Sequence, residues 1–384
     1  MKLFEEKKRT DFKPAKFNDS TFDFLDRSSS EKASVVRKVL NSWFENYPEG
    51  EKLEFKKRFS KEFSSSLYEL FIHNLFLNQG FQLECHPTLP DSTQKPDFLA
   101  KGNGLEFYIE AKEATDKSDS ERALERKTNQ IYDILNTTNS PNFYLKIKAL
   151  KFKSEDQPSA KKIVRYLERK LPGNDPDIVK GIYEKLGYNA LPIINYEDHN
   201  LTMDIVLLPK SPETRNKDNV RPIGVLPSKG FIGGSDEPIK SALEKKAKKY
   251  GELNKPLLLC INSLSEKGTD EIDIMDALFG STCITYSTDP NNINPRLERA
   301  NNGFFRDNKG PKFTKISAVL INKMNLGHIK DGKYWLVKHP FASKELNFDS
   351  FSLKYTVIEN NKITSKSGNS LKEIMKLEKF EGIF

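Results

Sequence analysis

Two carboxylates and a lysine lie close together in the stretch "KPDFLAKGNGLEFYIEAKEA", Lys95 to Ala114: Asp97, Glu110 and Lys112. Carboxylates held side by side repel one another unless a cation lies between them. A divalent ion in that place would make a bound water easier to deprotonate, and a nearby ammonium would steady the charge that develops as the water attacks. The strands that carry the three side chains decide whether they meet. Asn103-Gly104 is a strong signal for a two-residue hairpin, because a type I′ turn needs positive φ at both central positions. A turn there places Gly102 opposite Leu105, Leu99 opposite Tyr108 and Asp97 opposite Glu110. Directly opposed side chains sit about 4.5 to 5.5 Å apart at Cβ. Period-two alternation puts Lys112 on the same face as Glu110, one step further along.

The elements around the hairpin follow from periodicity. "SKEFSSSLYELFIHNLFLNQG", Ser60 to Gly80, is apolar on nearly every side after Leu67, which predicts a buried helix with Glu69 inside it. "FQLECHP" alternates as a strand. "SDSERALERKTNQIYDILN" opens with Ser118 and Glu121 at capping-box spacing, and "NFYLKIKAL" reads as another strand. The order between about Ser60 and Leu150 is helix, three strands, helix, strand, an α/β sandwich. Ahead of it, "EKASVVRKVLNSWFENY" reads as an amphipathic helix. Beyond Lys151 come helices at "SAKKIVRYLERKL" and "PDIVKGIYEKLG", strands at "ALPIINYE" and "LTMDIVLLPK", and a long turn-rich loop, "SPETRNKDNVRPIGVLPSKGFIGGSDEP". "EPIKSALEKKAKKYGEL" followed by "KPLLLCIN" forms a helix-to-strand unit that could extend the same sheet, and "KISAVLINKM" is a further strand. The expected organisation is an N-terminal helical extension over 1–60, a core over 61–152 and a C-terminal α/β extension over 153–384.

Pro96-Asp97, the hairpin, and Glu110-Ala111-Lys112 together resemble the P-D-(D/E)-x-K nuclease superfamily, and the αβββαβ order resembles its restriction-endonuclease-like core, a mixed sheet flanked by helices. The resemblance implies a metal-dependent endonuclease that hydrolyses phosphodiester bonds in DNA. It makes Asp97 and Glu110 metal ligands, joined by the Ala111 carbonyl and by Glu69 as a third acid, with Lys112 activating the water. Mg²⁺, with Mn²⁺ as a substitute, suits such an all-oxygen set. Lys127 and Gln130, on the following helix, are candidate nucleic-acid contacts, and His86 lies near the hairpin. By analogy the setting is restriction or antiviral defence, with a protein partner in such a system, and cutting both strands asks for a homodimer.

The 384 residues carry a formal net charge of +8, with 36% hydrophobic and 30% charged residues. That balance fits a folded protein with a well-solvated surface, and the basic excess suits a polyanionic partner. Cys85, Cys260 and Cys283 are widely spaced, odd in number and match no metal-ligand pattern, which argues against a disulfide framework. The opening "MKLFEEKKRTDFKPAKF" has no apolar run, and no stretch reaches the length of a membrane span, so a cytoplasmic protein is expected. Asp270, Glu271, Asp273 and Asp276 read as an acid-rich helix start, "GFIGGS" lacks the lysine of a phosphate-binding loop, and His199, His328 and His339 stand apart. Two other readings use the same residues: a nucleic-acid-binding or assembly protein without catalysis, and an RNA-processing nuclease.

Overall fold

The computed structural model describes the chain except residues 91, 116, 218–219, 224–233, 265–268, 287–293, 330–331, 360–361 and 381–384. Residues 218–219 and 224–233 of the expected loop, and with them the first four residues of "GFIGGS", lie outside the described residues. In chain order the helices α1 (Thr21–Arg27), α2 (Glu31–Glu45), α3 (Lys52–Lys61) and α4 (Phe63–Leu77) precede strands β1 (Gln82–Cys85), β2 (Phe98–Gly102) and β3 (Leu105–Ala114). Then come α5 (Asp119–Asn136), β4 (Phe143–Phe152), α6 (Ala160–Lys170), α7 (Pro176–Leu186), β5 (Ile193–Glu197) and β6 (Leu201–Pro209). The last part holds α8 (Asp236–Ala247), β7 (Leu257–Ser263), α9 (Glu271–Phe279), the ribbons β8 (Thr282–Thr285) with β9 (Arg296–Arg299) and β10 (Arg306–Asp307) with β11 (Gly310–Pro311), and the strands β12 (Ala318–Lys323), β13 (Lys333–Lys338), β14 (Tyr355–Glu359) and β15 (Lys362–Lys366).

These elements form two compact units. The first comprises Met1–Pro14, Ser20–Asp116 and Phe231–Phe384; the second comprises Ala15–Asp19 and Lys117–Gly230. The first is built on a mixed eight-stranded sheet in the order β1-β2-β3-β7-β12-β13-β14-β15. β1, β2 and β3 form an antiparallel meander, and β3, β7 and β12 run parallel. Alternation divides the side chains between two cores. Phe107, Ile109, Leu258, Cys260 and Leu320 pack under α2, α3 and α4, whereas Tyr108, Leu257, Leu259, Ile261 and Val319 pack under α8 and α9. Residues Ser66 to Phe76 of α4 are all buried, as its all-round apolar sequence requires.

The mixed sheet flanked by helices agrees with expectation, but the division of the chain does not. The helix at Asp119–Asn136 and the strand at Phe143–Phe152 do not complete the large sheet. β4 joins β6 and β5 in a separate three-stranded sheet of the second unit. The strand beside β3 is β7, reached through α8. A parallel strand inside a sheet covered on both faces must be apolar throughout. All seven residues of β7, "LLLCINS", are buried, whereas β4 alternates buried and partly exposed positions from Phe143 to Ile147, a pattern that suits a sheet with one covered face. The span 61–152 is therefore not one core: its part through β3 belongs to the first unit, and α5 and β4 belong to the second. The segment 1–60 is not a separate extension either, since Leu3, Phe4, Val39 and Phe44 belong to the same core as α4.

Phe107 joins remote parts of this unit, with its ring centroid 5.7 Å from Phe76, 5.3 Å from Phe81 and 5.5 Å from Phe351. Phe107→Ala is expected to cost about 3–5 kcal/mol, the range for truncating a buried aromatic ring. Urea unfolding of the full chain checks this; a loss under about 1 kcal/mol would mean that the cluster contributes little to holding the hairpin.

Candidate active site

The hairpin has the geometry its sequence predicts. Asn103 and Gly104 have φ of 50° and 74°, and the pairing runs from Gly102 opposite Leu105 to Phe98 opposite Ile109. Carried one step past these pairs, the register sets Asp97 against Glu110, whose charge Asp97 feels. The Tyr108 N–H donates to Pro256 on the side of β7, so the backbone groups of Ile109 and Ala111 point the other way, towards β2. Ala111 would therefore pair with residue 96, but that residue is proline and has no N–H to give. The ladder stops there. The Ala111 N–H donates instead to Asp97 Oδ2 at 2.6 Å, and the Ala111 carbonyl faces the side where β2 has ended.

Glu110 has a side chain with no exposed surface. A buried carboxylate needs partners, and α8 with the turn after it supplies them. Lys246 Nζ and Lys249 Nζ both contact Glu110 Oε1, the latter at 3.0 Å, while the buried Tyr250 hydroxyl donates to Oε2. The Tyr250 phenol is raised well above its usual pKa by burial and by the Glu110 charge. Asp97 is the less satisfied acid: burial first, then the charge of Glu110, pushes its pKa from 3.8 up to about 7.

Glu69 is buried, as expected for a helix covered on all sides, but both its oxygens are occupied. Arg58 contacts it through both terminal nitrogens, with Nη2 to Oε1 at 2.9 Å, and the Tyr47 hydroxyl donates to Oε1 at 2.7 Å. Its charge is felt at Asp97, but the oxygens expected to complete a metal site are bound to Arg58 and Tyr47. No group of three or more His, Cys, Asp or Glu residues that could hold a metal ion occurs among the described residues. Lys112 is exposed, and the ammoniums that touch Glu110 come instead from Lys246 of α8 and Lys249 of the turn after it. His86 is a strand-end residue with φ of 49°, whose N–H donates to the Asp97 carbonyl.

Lys127 and Gln130 belong to the second unit. Lys127 pairs with Glu155 at 2.7 Å, and Gln130 Oε1 is buried without a partner among the described residues. Asp270 caps α9 by accepting from the Ile272 and Asp273 N–H groups, as its reading as a helix start requires. The residues that sequence reasoning missed are Arg58, Tyr47, Lys246, Lys249 and Tyr250. The last three carried a signal: Lys246 and Tyr250 are four apart and Lys249 three on from Lys246, which brings them to one side of a helix end.

Comparison of the chain with protein-family models, curated proteins and solved structures returns no match. Among the described residues no helix is long and apolar enough to cross a membrane.

The raised Asp97 pKa has a sign that can be measured. Between about 4 and about 7 the folded protein binds this proton while the unfolded chain has released it, so the Asp97 contribution to stability falls as pH rises and levels off above about 7. In metal-free buffer, the stability of Asp97→Asn minus that of wild type should therefore grow from pH 5 to pH 7.5. Thermal melts at matched ionic strength test this, and parallel curves for the two proteins would exclude a raised pKa at Asp97.

Proposed function

We propose that this chain is a Mg²⁺-dependent nuclease that hydrolyses phosphodiester bonds in DNA, with Asp97, Glu110 and Ala111 at its centre. The observation that carries this reading is the opposition of Asp97 and Glu110 at the strand end where Pro96 leaves the Ala111 carbonyl without a ladder partner. The sequence α4-β1-β2-β3-α8-β7 has the αβββαβ order of a restriction-endonuclease-like core, with the second unit inserted between β3 and α8.

Two carboxylates and a carbonyl are hard oxygen donors of the kind Mg²⁺ takes, and the raised pKa of Asp97 reflects negative charge that a cation would relieve. Asp97, Glu110 and the Ala111 carbonyl would hold the ion, without Glu69. When bound, it supplies Lewis acidity and a more readily deprotonated water. The Ala111 N–H holds Asp97 in place, and Tyr250 fixes one Glu110 oxygen. Lys112 presents an exposed ammonium on the Glu110 face of β3, available to a phosphate or to the attacking water. The net charge of +8 suits a polyanionic substrate. A role in restriction or defence, and a second copy for cutting both strands, rest on the resemblance alone.

One observation favours a second reading, a nucleic-acid-binding scaffold that does not cleave: three donors already occupy the oxygens of Glu110. The two readings separate in one experiment. Purified protein is incubated with plasmid, linear and single-stranded DNA and with matched RNA, in Mg²⁺, Mn²⁺ or EDTA. Metal-dependent cleavage of DNA is expected, reduced at least about 100-fold in Asp97→Ala and in Lys112→Ala, as for loss of a main electrostatic contributor. Cleavage of RNA alone would move the substrate class, and binding without cleavage of any substrate would establish the scaffold reading.

A further inference from the structure

Lys246 and Lys249 both contact the same oxygen of Glu110, an arrangement that crowds two like charges together. It is explained by what Glu110 lacks: with its side chain fully enclosed, its charge has to be met from within the protein. The third donor is different in kind. Tyr250 is buried and fixed on Oε2, whereas the lysine side chains remain 19% and 29% exposed on long, flexible stems. Lys249 also reaches the Lys95 carbonyl at 3.3 Å, just before Pro96. One oxygen of Glu110 therefore has a permanent donor, and the other has two that can swing out to solvent.

We propose that Lys246 and Lys249 are the resident counter-cation of Glu110, displaced when a divalent cation binds and then free to hold substrate phosphates, so that cation and polyanion binding strengthen each other. This rests on the nuclease reading above and adds a residue pair that the (D/E)-x-K pattern does not contain. Charge counting gives the reason. Asp97 and Glu110 carry two negative charges when ionised, which the two ammoniums balance; a divalent ion at the acids leaves both in excess, and a phosphodiester backbone supplies the anions they then require. The coupling is reciprocal, because whatever phosphate gains from the released lysines, the cation gains from phosphate.

The test uses the full chain, Ca²⁺ as the cation and sheared DNA of mixed sequence as the polyanion, with calorimetry rather than turnover as the readout. In wild type, DNA should tighten Ca²⁺ binding about tenfold. The Lys246→Gln, Lys249→Gln double variant should bind Ca²⁺ about tenfold tighter than wild type without DNA, and DNA should then add less than about twofold. Lys246→Arg with Lys249→Arg keeps the charges and should preserve the wild-type pattern. Asp97→Asn should abolish Ca²⁺ binding in every background, which places the ion. Lys240→Gln, which removes another charge from α8, should behave as wild type. If the Gln variant is unfolded without cation, recovery of its near-ultraviolet dichroism on adding Ca²⁺ supports the proposal, and failure to recover overturns it. Ca²⁺ affinity equal to or weaker than wild type in the Gln variant, in a protein that still cleaves DNA, overturns the lysine proposal alone. Absence of Ca²⁺ binding in every variant overturns the nuclease reading as well.

Discussion

Glu110 carries its charge at a position sealed from water, beside a second carboxylate, and the surrounding structure is arranged to meet that charge. Solvent does not reach the Glu110 side chain, so its neutralisation has to come from whatever packs above it. The element above is α8. Its Ile239, Leu243 and Ala247 form an apolar stripe against β3 and β7, and the same helix end delivers Lys246, Lys249 and Tyr250. Packing and charge balance are thus served by one helix. Losing its register on the sheet would leave a carboxylate buried without a partner, one of the costlier defects a protein interior can hold.

The other face solves a similar problem separately. Glu69, enclosed within α4, is held by Arg58 from α3 and Tyr47 from the segment after α2. Asp97 is itself largely withdrawn from water, feels the charge of both buried acids and, among the described residues, receives one backbone N–H in return, which together raise its pKa. The sheet therefore separates two fully partnered carboxylates and leaves the third, at its strand end, underserved.

Much of this was legible in the sequence, and the parts that were not have physical reasons. The Asn-Gly turn set the hairpin register, because the turn type fixes which residues face one another. The burial of α4 followed from its lack of a polar face, and β7 from an unbroken apolar run. The donors to Glu69 were not legible, since Arg58 and Tyr47 reach it through tertiary packing that no periodicity encodes. The placement of α5 and β4 was misread for a more instructive reason. Their order after β3 is that of a sheet-completing pair, and only the alternation along β4, set against the uniform burial of β7, distinguishes the strand of a one-sided sheet from one covered on both faces.

The interruption between β3 and β7 also bears on how the chain is made. β3 needs β7 as its neighbour, yet the ribosome must add the whole of Lys117–Gly230 and then α8 before β7 exists. During that interval β3 has one open edge, and its "LEFYIEAKEA" offers unpaired backbone groups to any strand it meets. Charges along that strand discourage such pairing while the edge is bare. Glu110, central to the candidate chemistry of the folded protein, is one of the charges this bare edge carries in the unfinished chain.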